Sequence, residues 1–65
     1  MNSWLAVRNF QREILRVSTK KLGRPLTAKE KRFVTSRGGF VALEMILDTV
    51  RAGSSAEIEA HLNSE

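Results

Sequence analysis

Apolar residues recur at intervals of three or four along most of the chain, which is the spacing of one buried face of an α-helix. The pattern falls into four segments that predict helices at about 3–22, 28–37, 40–52 and 55–63. No segment alternates apolar and polar residues with a period of two, as a half-buried strand would. We therefore predict an all-α protein: a small bundle of three to four short helices in a single domain, 1–65, as a monomer or a dimer.

Residues between these segments carry the usual signals of helix ends. Gly23 is typical of the left-handed residue that closes a helix. Thr27 with Glu30, and Ser54 with Glu57, match the capping box, in which a hydroxyl and a carboxylate bond free amides of the first turn. The second and fourth helices are therefore expected to begin directly after Thr27 and Ser54.

The core is expected along the main apolar stripe of each helix, which includes Trp4 on the first helix and Phe40 on the third. Some apolar residues lie off these stripes: Leu5 on the first helix, and Val41 with Met45 on a second side of the third helix. In so short a chain, surplus apolar surface completes the core or forms an interface. Leu5, Val41 and Met45 are therefore the candidate protein interface.

Charge is divided unequally between the two halves of the chain. Residues 1–37 carry ten Lys and Arg and two acids, a net charge of +8, whereas residues 38–65 carry one Arg and five acids, a net charge of −4. The two halves could simply attract each other, within the fold or across a dimer. The other interpretation is a contact surface for nucleic acid or an acidic partner. Its candidate residues are Arg8, Arg12, Arg16, Lys20, Lys21, Arg24, Lys29, Lys31 and Arg32.

Groups able to carry catalysis are few. The chain has no Cys, no Tyr and a single His, His61, which we expect to be a solvated surface residue. Nucleophilic or acid–base catalysis needs such groups in pairs. Glu44 and Asp48 lie one helical turn apart, but the nearby Arg51 favours a salt-bridge cluster over a cation site. The sequence therefore predicts no enzyme, no cofactor, no metal and no small-molecule substrate.

No segment is suited to a membrane or to export. The longest uninterrupted apolar runs, such as 40–43, are far shorter than the roughly 20 residues that cross a bilayer. The N-terminus does not resemble a signal peptide, and the absence of cysteine fits a reducing compartment. We expect a cytoplasmic protein with no membrane partner.

Two functions remain open on these grounds. One is a non-enzymatic protein-interaction or regulatory module that docks on a larger partner or self-associates, with a two-fold dimer through the third helix as the favoured form. The other is a nucleic-acid-binding module that uses the basic face of the first two helices. A helix-turn-helix that reads DNA through the third helix is disfavoured, because Glu44 and Asp48 would repel phosphate.

Overall fold

The computed structural model describes residues 3–64 and contains four helices in this part of the chain: α1 (Ser3–Leu22), α2 (Ala28–Thr35), α3 (Phe40–Ala52) and α4 (Ser55–Leu62). No strand occurs among the described residues. The predicted all-α bundle is therefore confirmed. Residues 1, 2 and 65, which belong to the predicted domain, lie outside the described part.

α1 is the longest helix, and the other three pack against it. Phe10 of α1 meets Phe40 at the start of α3, with ring centroids 6.1 Å apart. Lys21, near the end of α1, reaches backbone carbonyls at the end of α3, so α1 and α3 run in the same general direction. α2 returns alongside α1, because Gln11 donates a hydrogen bond of 2.7 Å to the carbonyl of Arg37, just beyond α2.

The core lies where all four helices meet. It consists of Ile14, Leu26, Phe33, Val34, Leu43, Ile46, Leu47, Val50, Ile58 and Leu62. Two residues predicted for the core lie outside it, since Trp4 is 58% exposed and Phe40 is also exposed. Trp4 precedes Phe10 by six residues, about 9 Å along the helix. It therefore lies beyond the start of α3, where the bundle offers little to cover it.

The predicted helix signals act as expected. Gly23 takes the left-handed conformation, with φ +70°. In both capping boxes the hydroxyl accepts a hydrogen bond of 3.2 Å from a backbone amide, Thr27 from Glu30 and Ser54 from Glu57. Each carboxylate in turn accepts from the amide of its hydroxyl residue at 2.8 Å. The starts of α2 and α4 are therefore determined by local polar contacts.

Two helices end slightly before their predicted ends. α2 stops at Thr35, two residues early, because the Ser36 amide bonds the carbonyls behind it as a C-cap. Arg37, which the sequence places in the helix, instead folds its guanidinium over the Phe33 ring, 3.8 Å from the centroid. α4 stops at Leu62, with the next residue as its C-cap.

A buried carboxylate joins three parts of the fold. Glu30 is 1% exposed, and its two oxygens each accept a hydrogen bond of 2.9 Å from the guanidinium of Arg24. The Thr27 amide donates to one oxygen, and Asn63, just after α4, donates to the other, both at 2.8 Å. The hydrogen-bonded guanidinium of Arg24 holds the pKa of Glu30 well below its usual range despite burial. The carboxylate therefore connects the α1–α2 loop, α2 and the end of α4.

Candidate functional site

The outward side of α3 carries exposed apolar side chains. Val41 is 72% exposed and Met45, one turn later, is 65% exposed. Glu44 and Asp48 are exposed beside them, and neither carboxylate makes an ion pair within residues 3–64. At 100° per residue these four side chains fall within an arc of roughly 100°. We call these four residues the acidic α3 face; the described chain leaves it uncovered.

The outward side of α1 carries a second mixed surface, of opposite charge. Leu5, the third predicted interface residue, is exposed there together with Arg8 and Arg12, three and seven positions later. The guanidinium of Arg8 lies 5.0 Å from the Trp4 ring centroid, a cation–π contact. The side chain of Arg12 has no ionic or hydrogen-bonding partner among the described residues. Leu5, Arg8 and Arg12 form what we call the basic α1 face.

Farther along α1, the charge of a predicted contact residue is partly neutralised. Arg16 pairs with Glu13, at 2.6 Å between Nη2 and Oε2. The same oxygen lies 3.7 Å from Nη2 of Arg51, and the pKa of Glu13 is lowered, chiefly by the hydrogen bond from Arg16. Arg51 was expected to pair with Asp48. It pairs with α1 instead, because the packing of α3 on α1 brings Glu13 within its reach.

Two further predicted contact residues have roles inside the fold. The Lys21 ammonium donates to the carbonyls of Arg51 and Gly53, the latter at 3.0 Å. It thus satisfies backbone acceptors at the negative end of the α3 dipole. Arg24 forms the ion pair with the buried carboxylate of Glu30. The sequence spacing could have indicated the role of Lys21. This residue follows Ile14 by seven positions, so it lies on the same side of α1 as that buried residue.

Five of the nine predicted contact residues have side chains without an ionic, hydrogen-bonding or cation–π partner in the described part of the chain. Lys20 also lines a groove of about 390 Å³ between α1 and α3, whose other cationic walls are Arg16, Lys21 and Arg51. The nine predicted contact residues therefore do not form one uniform surface. Those left uncommitted are Arg12, Lys20, Lys29, Lys31 and Arg32.

His61 is not the solvated residue that the sequence predicts. Its ring packs edge-on against Phe33 with centroids 5.4 Å apart. Its Nε2 is buried and has no hydrogen-bond partner among the described residues. The position follows Ile58 by three and precedes Leu62 by one, so it borders the buried side of α4. Its ring therefore contributes to the contact between α2 and α4.

Comparisons with known proteins do not indicate a function for this chain. Comparison with protein-family models, with curated proteins and with solved structures finds no match to this chain. Among residues 3–64, no three His, Cys, Asp or Glu side chains come together where they could hold a metal ion. None of the described helices combines the length and apolar character needed to cross a membrane.

Proposed function

We propose that this protein is a non-catalytic interaction module that binds another protein through its acidic α3 face. The supporting observation is the exposure of Val41 and Met45, 72% and 65%, on a helix whose opposite side is fixed in the core. Burying a large apolar side chain contributes roughly 1.5–3 kcal/mol. For these two residues that gain becomes available only when a partner covers them.

The charges around the strip define the chemistry of the partner surface. Glu44 and Asp48 are exposed and unpaired within the described chain, so a complementary surface has an apolar centre bordered by Lys or Arg. Such charged borders chiefly speed association and exclude wrong partners. Met45 adds tolerance for irregular contacts, because its side chain is unbranched and polarisable.

Site-specific crosslinking tests this proposal directly. A photoreactive amino acid placed at Val41, in cells that express the protein natively, should yield a protein adduct of defined mass. The matched control is the same probe at Lys29, an exposed position of α2. The adduct from Val41 should disappear when Met45→Lys is added, while circular dichroism shows the helices intact. Equal labelling from both positions, insensitive to Met45→Lys, would contradict the proposal.

A second candidate function is binding of a nucleic acid along the outer sides of α1 and α2. The observation in its favour is that Arg12, Lys31 and Arg32 are exposed and make no ion pair among the described residues. Long cationic side chains on one surface can replace the counterions of a phosphate backbone. Labelled DNA and RNA titrated at several salt concentrations should then bind with a clear salt slope.

The ion pair between Arg16 and Glu13 of α1 allows a more specific test of this candidate. Arg12→Gln should weaken binding more than Arg16→Gln, because Arg16 is already paired with Glu13. The loss should be similar for all nucleic-acid sequences, since phosphate contacts carry no sequence information. Absence of binding at low salt, or binding without a salt slope, would remove this candidate.

A further inference from the structure

Resting on the proposed protein-binding function, we propose that the partner of the acidic α3 face is a second copy of this chain, which docks through its basic α1 face. The two faces are each built on one helix and are exposed on the same molecule. The contact is head-to-tail: α1 of one copy meets α3 of the next.

The two faces have the same spacing of apolar and charged positions. On α1, Leu5 is followed by Arg8 and Arg12 at three and seven positions; on α3, Val41 is followed by Glu44 and Asp48 at the same intervals. The guanidinium-bearing positions and the carboxylate-bearing positions are thus each four residues apart, about 6 Å along a helix. When the two helices run in the same direction, Arg8 and Arg12 lie level with Glu44 and Asp48. Leu5 then lies level with Val41.

A two-fold contact of either face with itself lacks this complementarity. Joining α3 to α3 across a two-fold axis places Glu44 and Asp48 of both copies around one apolar strip, so that four carboxylates share an interface. Joining α1 to α1 gathers the arginines in the same way. Like charges brought together in this manner oppose association. Joining the α1 face of one copy to the α3 face of the next pairs opposite charges instead.

The proposed contact has two physical consequences. A pair keeps one unused face of each kind, one on each molecule, so association continues into a ring or an open filament. Each face is a short stretch of one helix, smaller than the roughly 1,200–2,000 Å² typical of stable complexes. We therefore expect weak association, with a dissociation constant between about 1 μM and 1 mM, which weakens further as salt screens the charges.

The test uses two variants that each lose one face. Leu5→Asn disables the α1 face and Met45→Asn disables the α3 face, and neither residue belongs to the buried core. In sedimentation velocity, the wild type should form species that grow with concentration. Each variant alone should stay monomeric. A mixture of the two should form a one-to-one complex and nothing larger, since only one compatible contact remains.

Other outcomes separate the failure of this inference from that of the proposed function. A two-fold dimer through α3 would leave Leu5→Asn associated and would give no new species on mixing, which overturns the head-to-tail contact. A wild type that stays monomeric at every concentration also overturns it, yet adducts from position 41 would then identify a different protein and leave the proposed function standing.

Lys29→Asn is the matched control and should associate like the wild type. Replacing Arg8 and Arg12 together with Gln should weaken association roughly tenfold or more.

Discussion

Replacing Glu30 with Gln tests how the helices are held together. Gln keeps the size of the side chain and one acceptor oxygen, but it cannot receive both hydrogen bonds of the Arg24 guanidinium, each 2.9 Å long. Breaking a fully buried ion pair costs about 3–5 kcal/mol, and a hydrogen bond to a charged group contributes about 1.5–3 kcal/mol. Because Arg24 is 36% exposed and can regain water, we expect the lower range, about 2 kcal/mol.

The loss should appear as a lower melting temperature and a lower urea midpoint. For a domain of this size about 2 kcal/mol corresponds to roughly 8–16 °C. The matched control is Glu57→Gln, because Glu57 makes the same capping box with Ser54 at an exposed site. Glu57→Gln should lose clearly less stability than Glu30→Gln. Equal losses for Glu30→Gln and Glu57→Gln would show that the buried ion pair adds nothing to the cap.

The same carboxylate predicts how stability depends on pH. The pKa of Glu30 in the folded state lies below its ordinary value of 4.5, so the unfolded chain binds the proton more tightly. Its contribution is complete above about pH 5.5 and declines as the pH falls through and below the unfolded value. The decrease of the urea midpoint at low pH (its acid limb) should therefore be shallower in Glu30→Gln than in the wild type between about pH 5 and pH 3. The midpoint should still decrease in the variant, because Glu13 and Glu57 also have lowered pKa values. An acid limb identical to that of the wild type would refute this reasoning.

Three further substitutions have expected outcomes in the same urea assay. Ser18→Ala should stabilise the fold by roughly 1 kcal/mol, because the Ser18 hydroxyl is buried without a hydrogen-bond partner in the described chain. A loss would indicate an undetected partner. Lys21→Met should destabilise by roughly 1 kcal/mol, as the end of α3 loses its donor, whereas Lys20→Met should have little effect. Gly53→Ala should destabilise, because its Cβ would lie 2.9 Å from a carbonyl oxygen of α3. Gly38→Ala, with open space around it, should not.

The helices were predictable because their signals are local. A capping box spans four residues, and the left-handed Gly23 acts on the turn directly before it, so each can be recognised without knowing the tertiary fold. The ends of α2 and α4 were predicted too late because the apolar pattern alone does not show where a helix stops. In α2 the backbone amide of Ser36 closes the helix before Gly38 is reached.

The roles of individual basic residues were less predictable, because they depend on which helices meet. Lys21 bonds backbone groups 30 and 32 positions away, and Arg51 bonds a glutamate of α1 rather than its neighbour Asp48. A helical pattern gives the direction of a side chain but not the element across from it. For the same reason the exposure of Trp4 was missed, since an apolar stripe does not show where the neighbouring helices stop.

The position of Trp4 determines what its fluorescence can report. It is the sole tryptophan, lies in the first turns of α1 at 58% exposure, and has the guanidinium of Arg8 over its ring. Helix ends open more readily than cores, so its emission should follow fraying of that end. A thermal melt recorded by emission should begin before one recorded by circular dichroism, without any folding intermediate. Leu5 is adjacent, so under the proposed head-to-tail contact the emission should instead shift to shorter wavelength as the concentration rises, and Trp4 would report assembly without an added label.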